Sequence, residues 1–281
     1  MTTTAEDWDP LILAVAPNGA RKTKADHRRV PITPEELAVT ARDCHKAGAS
    51  LLHLHVRDDA ERHSLDAGRY REAIAAVREA VGQDLIIQIT TEAVGLYDRH
   101  QQMDCVRAVE PEAVSLAVRE LVPDAEAEEE AGRFMAWLDE ANISPQFILY
   151  DAEDLLRFND LTERGIIPSR RHFVLFVLGR YSQDMTSHPK ELLPFLEANS
   201  KAHSWAVCAF GPRECACAAA ATALGGHARI GFENNLHLPS GGTAPDNAAL
   251  VRAAAAAAKS MGRPLADAAT ARELLAALHR A

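Results

Sequence analysis

The sequence predicts an α/β fold, a (β/α)8 TIM barrel, on two observations. Eight short apolar runs recur along the 281 residues, and longer stretches of helical character separate them. No linker rich in Ser, Gly or Pro interrupts the alternation, so residues 1–281 are expected to form one domain. An open doubly wound sheet is the rival arrangement, because eight strands can also lie flat.

The expected strands cover 11–16, 51–56, 85–90, 113–118, 145–150, 172–178, 204–210 and 228–232. After the first strand, Thr33 and Pro34 give a helix start signal and Gly48 a stop. The segment 127–143 reads as a helix whose acids crowd its N-terminal end, where the helix dipole favours them; 124–132 is expected to be a solvated acidic start. Two helices follow the eighth strand, and the run Ala253 to Ala258 is read as good helix former that could also make subunit contacts.

Composition narrows the function. A formal net charge of −10 argues against a nucleic-acid surface, which needs concentrated Lys and Arg. The expected partners are small molecules or sister subunits. Five cysteines, odd in number and without CxxC spacing, suggest neither a disulfide framework nor a thiolate zinc site, and they fit a reducing cytoplasm. The N-terminus carries acids instead of a basic leader, and no run of about 18 apolar residues occurs, so no membrane partner is expected.

In a TIM barrel the chemistry sits at the C-terminal ends of the strands. The second expected strand carries His53 and His55 two residues apart, hence on one face. Burying two imidazoles in an apolar strand is costly unless something satisfies them. They are either hydrogen-bonded core histidines or metal ligands. A zinc site with an open position commonly takes two His and a carboxylate. The eighth strand ends at Glu233, and in a closed barrel the second and eighth strands both flank the first. The expected metal site is therefore His53, His55 and Glu233, with His237 a rim residue or substitute ligand. Asn18 and Gly19, closing the first strand between them, are expected to line the pocket.

The segments PLILAVAPNGARKTKADHRRVPITPEELA, GASLLHLHVRDD, IIQITT, HFVLFVLG, GGHARIGFENNLHL and APDNAALV together resemble the β-keto acid cleavage enzymes over nearly the whole chain. The best-known activity of that family is 3-keto-5-aminohexanoate cleavage. The resemblance implies a TIM barrel holding one divalent metal, usually Zn2+, on two His and a Glu. It implies a reaction in which a β-keto acid and acetyl-CoA give acetoacetate and a new acyl-CoA, and it implies a homotetramer. By the same resemblance Arg229 assists charge development beside the metal, and Thr90 replaces a substrate-binding serine. Ser115, on the fourth expected strand, joins the substrate-binding candidates.

Several positions depart from the family pattern. The base aspartate is here Asn234, an amide that cannot take a proton, although its place keeps it in the catalytic set. Carboxylates are missing at Gln146 and Ile148, while Glu92, Arg119 and Glu120 are added near strand ends. Arg21 stands where members acting on an amino-bearing substrate have an acid, which favours an anionic or carbonyl-bearing tail and disfavours an ammonium. Two accounts follow: Glu120 or Glu92 has become the base while Arg21 and Arg119 hold substrate, or acetyl-CoA is not used and the metal site performs another scission of an oxo acid. A barrel metal hydrolase would need further His ligands, and His172 and His203 lie at strand starts on the opposite end. A non-catalytic binding protein is the remaining class, which metal analysis tests.

Overall fold

Strand β1 (Leu13–Val15) pairs on one side with β2 (Leu51–Leu54) and on the other with β10 (His227–Ile230), and this double pairing closes the sheet. The fold is taken from a computed structural model that describes residues 9–278. Between β2 and β10 run β5 (Ile86–Thr90), β6 (Ala113–Ala117), β7 (Ser144–Leu149), β8 (Phe173–Leu178) and β9 (Ser204–Ala209), every neighbouring pair parallel. The result is a closed eight-stranded barrel with helices between strands, which removes the open-sheet alternative.

Side-chain alternation along the strands separates two apolar layers. Leu52, Leu54, Ile87, Ile89, Val114 and Leu116 pack outward against the helices. Leu51, Ile86, Ala113, Ile148, Leu175 and Cys208 fill the barrel interior. His53 and His55 share the parity of Leu51, so the strand that builds the core carries His53 inward, and His55, one residue past its end, follows the same alternation. Helix α10 (Ala268–Leu278) places Ala271, Leu275 and Leu278 in that interior layer beside Ile86 and Phe173, the first residues of β5 and β8. It therefore plugs the N-terminal end and leaves the other end for a site.

The local signals act as their chemistry dictates. Helix α1 (Pro34–Ala47) begins with a Thr33–Glu36 capping box and ends at Gly48 in the left-handed region. Helix α5 (Glu128–Glu140) has the solvated acidic start expected of it, with Asp124, Glu126 and Glu129 exposed, and adds ion pairs from Glu128 to Arg164 and from Glu130 to Arg99. His172 and His203 are buried at strand starts, where His203 Nδ1 accepts from the His172 backbone N–H.

The second expected strand ends two residues early. The Asn18 side-chain amide donates to the carbonyls of His55 and Pro31, and the chain then turns into a two-stranded hairpin of β3 (Val56–Arg57) and β4 (His63–Ser64). The eighth ends at Ile230 because Gly231, at φ +135°, starts a turn in which Asn234 and Asn235 both donate to its carbonyl. A Cβ at Gly231 would stand 2.4 Å from the Ala16 carbonyl oxygen, so only glycine lets this turn lie against β1. Among the described residues no helix is long and apolar enough to cross a membrane.

Candidate active site

At the C-terminal end of the barrel three side chains converge. His53 Nε2 and His55 Nε2 are 3.1 Å apart, and Glu233 Oε2 lies 3.3 Å from His55 Nε2 and 3.6 Å from His53 Nε2. Ligands on a tetrahedron about 2.0–2.1 Å from zinc would be separated by roughly 3.3 Å. The three spacings bracket that edge, so one divalent cation fits among the donors without rearrangement. Glu233 Oε2 is buried and makes no hydrogen bond among the described residues, which also suits a ligand oxygen. Among those residues this is the one group of three or more His, Cys, Asp or Glu able to hold a metal ion.

Neighbouring residues set the orientation and charge of these side chains. Gln88, opposite His53 in the β2–β5 register, approaches His53 Nδ1 with Oε1 at 2.8 Å and passes its own amide to Gln146. The glutamine oxygen can only accept, so Nδ1 carries the proton and Nε2 is left as a lone-pair donor. Burial, joined by the nearby Arg229 charge, holds the His53 pKa well below its ordinary value and keeps the ring neutral. For Glu233 burial acts to raise the pKa, but the Arg229 guanidinium leads the opposing charges and holds the carboxyl well below its ordinary range. Arg229 donates to Glu233 Oε1 at 3.1 Å, and Lys22 Nζ donates to the Glu233 carbonyl at 2.8 Å.

Close backbone contact positions Glu233 as well. Gly19 has φ +62°, and a Cβ there would stand 2.5 Å from Glu233 Cγ. Turn chemistry and proximity to the ligand therefore both require glycine. Arg57, the arginine of the HxHxR element, braces the same loop by donating to the carbonyls of Gly19 and Lys22. From the other side the buried Glu214, which opens α8 (Glu214–Ala223), accepts from the Gly231 N–H and the Asn235 amide. Burial pushes its pKa up to about 8.

The group of His53, His55 and Glu233 opens into a cavity with two adjoining lobes. One is lined by His53, Thr90, Tyr150, Phe210, Arg229 and Glu233; the other by Asn18, Gly19, Arg21, Lys22 and Met185. Glu92, Arg180, Phe210 and Glu233 face both. Of the residues expected from sequence, Asn18, Arg21, Thr90, Glu92, Arg229 and the trio His53, His55 and Glu233 thus come together. Thr90 Oγ1 accepts from the Glu92 N–H and so shapes the loop that carries this acid.

The other candidates sit apart from those walls. Ser115 is buried beside Thr90, its partner on the adjacent strand, with no hydrogen bond to its hydroxyl among the described residues. Arg119 is taken up by Asp151 and Asp154 and stacks over Tyr150. Glu120 accepts from the Ala93 N–H, and burial pushes its pKa up to about 7. Asn234 is buried with neither side-chain amide atom bonded among the described residues. His237 is an exposed loop residue.

Gln88, Arg180 and Glu214 were not anticipated. A polar residue inside IIQIT signals Gln88, and Arg180 is the first charge after HFVLFVLG. No pattern signals Glu214.

With this geometry in hand, comparison with known proteins decides the family: its sequence profile, described as beta-keto acid cleavage enzyme, matches residues 10–276. The chain belongs to the beta-keto acid cleavage enzyme family. It is 32% identical over 271 residues to the 3-keto-5-aminohexanoate cleavage enzyme of Fusobacterium nucleatum, covering 95% of this chain and 98% of that one. It is 29% identical to the 3-oxoadipate:acetyl-CoA acetyltransferase of Cupriavidus necator, covering 95% and 94%. Among solved structures, apo ObcA superposes with a TM-score of 0.71 at 16% identity over 88% of this chain and 65% of ObcA. That likeness shows the barrel alone, and this enzyme spans about two thirds of ObcA's length.

Proposed function

We propose that this member of the family cleaves a β-keto acid at the expense of acetyl-CoA, with Zn2+ held by His53, His55 and Glu233. In this reaction C2 of the β-keto acid loses a proton and attacks the acetyl thioester carbonyl. CoA then passes to the remaining acyl fragment as the C2–C3 bond breaks, which gives acetoacetate and a new acyl-CoA. A divalent cation at the site supplies Lewis-acid stabilisation of the negative charge that develops. The observation that carries the proposal is the convergence of two imidazole nitrogens and one carboxylate oxygen within 3.6 Å at the mouth of the barrel.

The chain's own groups divide the remaining work. Arg229 fixes Glu233 through Oε1 and leaves Oε2 for the cation. Thr90 is the substrate hydrogen-bonding hydroxyl, and Tyr150 and Phe210 exclude water from the same lobe. Glu92 is the proposed base at C2. It faces the ligands across the cavity, and its contacts with Arg21 and Arg180 both fall on Oε1, leaving Oε2 without a hydrogen bond among the described residues. Asn234 occupies the family's base position but cannot accept a proton there.

The test is to load the protein with zinc and incubate it with acetyl-CoA and β-keto acids varied in tail charge. Acetoacetate and a new acyl-CoA are expected in equal amounts. Their absence with every acid, from a protein that binds stoichiometric zinc, would favour scission of an oxo acid without acetyl-CoA. The same proposal carries one domain over residues 1–281, a homotetramer and a cytoplasmic location; light scattering in solution tests the assembly.

A further inference from the structure

Two cavity lobes meet at Arg180, just beyond the end of β8. Its side chain is only 17% exposed, and its guanidinium lies 5.3 Å from the centre of the Phe210 ring. It makes no hydrogen bond among the described residues. Its one ion pair, to Glu92 Oε1, is 3.7 Å long. A largely desolvated guanidinium with an open donor fork is costly unless an acceptor completes it.

The other cavity cations each hold a partner nearer the Glu233 end of the cavity. Arg229 bonds to Glu233 and Cys208 through Nη2, with Nε and Nη1 buried and unbonded among the described residues, and Lys22 bonds to the Glu233 carbonyl. Arg21 is the nearer partner of Glu92, at 2.9 Å, and holds the same oxygen that Arg180 approaches. Two guanidiniums therefore share one carboxylate, and the trio Arg21, Glu92 and Arg180 keeps one positive charge in excess. That charge lies on the cavity wall, not on the outer rim, since Arg21 is 53% exposed while Arg180 is mostly covered.

We propose that Arg180 determines substrate specificity by pairing with a carboxylate at the far end of the β-keto acid, so that the preferred substrate is a 3-oxo dicarboxylic acid. The inference rests on the β-keto acid cleavage proposed above. With the reacting 3-oxo acid end at His53, His55 and Glu233, an extended tail meets Arg180 in the same cavity, where the planar fork binds a carboxylate through two N–H groups. An ammonium tail meets the excess positive charge and is rejected.

The experiment uses zinc-loaded protein, a six-carbon 3-oxo dicarboxylic acid and its ω-methyl ester, which keeps the shape and removes the tail charge. For the parent protein kcat/KM for the diacid is expected to exceed that for the ester by on the order of tenfold to a hundredfold, the worth of a charged hydrogen-bonded pair. Arg180→Gln should bring the ratio close to one, mainly through the KM of the diacid, and Arg180→Lys should restore part of it. A ratio unchanged in Arg180→Gln, or kcat falling equally for both compounds, would overturn the proposal and leave Arg180 as a support for Glu92. Calorimetric titration with the diacid, without acetyl-CoA, separates the two claims. Binding that depends on Arg180 without turnover upholds this inference and defeats the proposed cleavage. Turnover with equal use of diacid and ester does the reverse.

Discussion

His53 Nδ1 and Gln88 Oε1 stand 2.8 Å apart on adjacent strands, and this single hydrogen bond decides which nitrogen of His53 is bare. The glutamine amide, tied in turn to Gln146, cannot serve as donor through its oxygen. Gln88→Ala should therefore weaken zinc binding by about tenfold to a hundredfold while the protein stays folded. Competition against a chromophoric chelator measures it, and an unchanged affinity would remove Gln88 from the site.

Gly19→Ala sets a methyl group against Glu233 and forces a side chain into φ +62°. The left-handed conformation alone costs about 1–2 kcal/mol. The expected outcome is a lower denaturation midpoint together with loss of stoichiometric metal. Destabilisation with full metal content would show that the loop adapts without moving Glu233.

Metal removal should lower stability. A cation that binds only the folded protein adds about 2.7 kcal/mol when its free concentration is one hundred times Kd. Thermal unfolding of chelator-treated protein, then of the same sample after zinc is returned, should show the transition fall and recover. In His53→Ala the zinc-dependent increment should vanish.

Exchange of carboxylate for amide distinguishes the two acids near the cavity. Glu92→Gln is expected to lower kcat by about a hundredfold to ten-thousandfold, the usual contribution of a positioned base. Glu120→Gln, whose residue is engaged with the Ala93 N–H behind the cavity wall, should cost less than about tenfold. Steady-state rates with a turned-over β-keto acid check both, and the reverse order would move the base to Glu120.

Glu214 makes stability pH-dependent. Its pKa is about 8 in the folded chain, raised by burial above the ordinary carboxylate value of 4.5. A raised folded-state pKa gives stability that is complete below the unfolded value and is lost as pH rises through the folded one. Between pH 4.5 and 8 this group should remove about 1.4 kcal/mol of unfolding free energy per pH unit. Denaturant unfolding across that window, on parent protein and Glu214→Gln, should give a shallower decline in the variant. Parallel curves would show that Glu214 ionises normally.

The convergence of His53, His55 and Glu233 was legible because it depends on short-range rules. Residues two apart on a strand share a face, which placed His53 with His55, and barrel closure put the eighth strand beside the first, which brought Glu233 to them. Gln88 was harder: its role depends on the register His53↔Gln88, a pairing of residues distant in sequence. The arginines show the same limit. Arg119 and Arg180 both follow strand ends, yet Asp151 and Asp154, at the start of the helix after β7, pair with the first, while the second faces the cavity.

From the chain's pattern alone came the alternation of strands and helices, the caps of α1, and the grouping of His53, His55 and Glu233 at the C-terminal end of the barrel. Only the folded molecule decided which polar side chains pair, why Gly19 must lack a Cβ, and that Glu92 and not Glu120 shares a cavity with His53 and Glu233. The physical reason is range. Periodicity and capping are set by neighbours along the chain, whereas hydrogen bonds, desolvation and charge balance depend on groups that only barrel closure brings within a few ångströms.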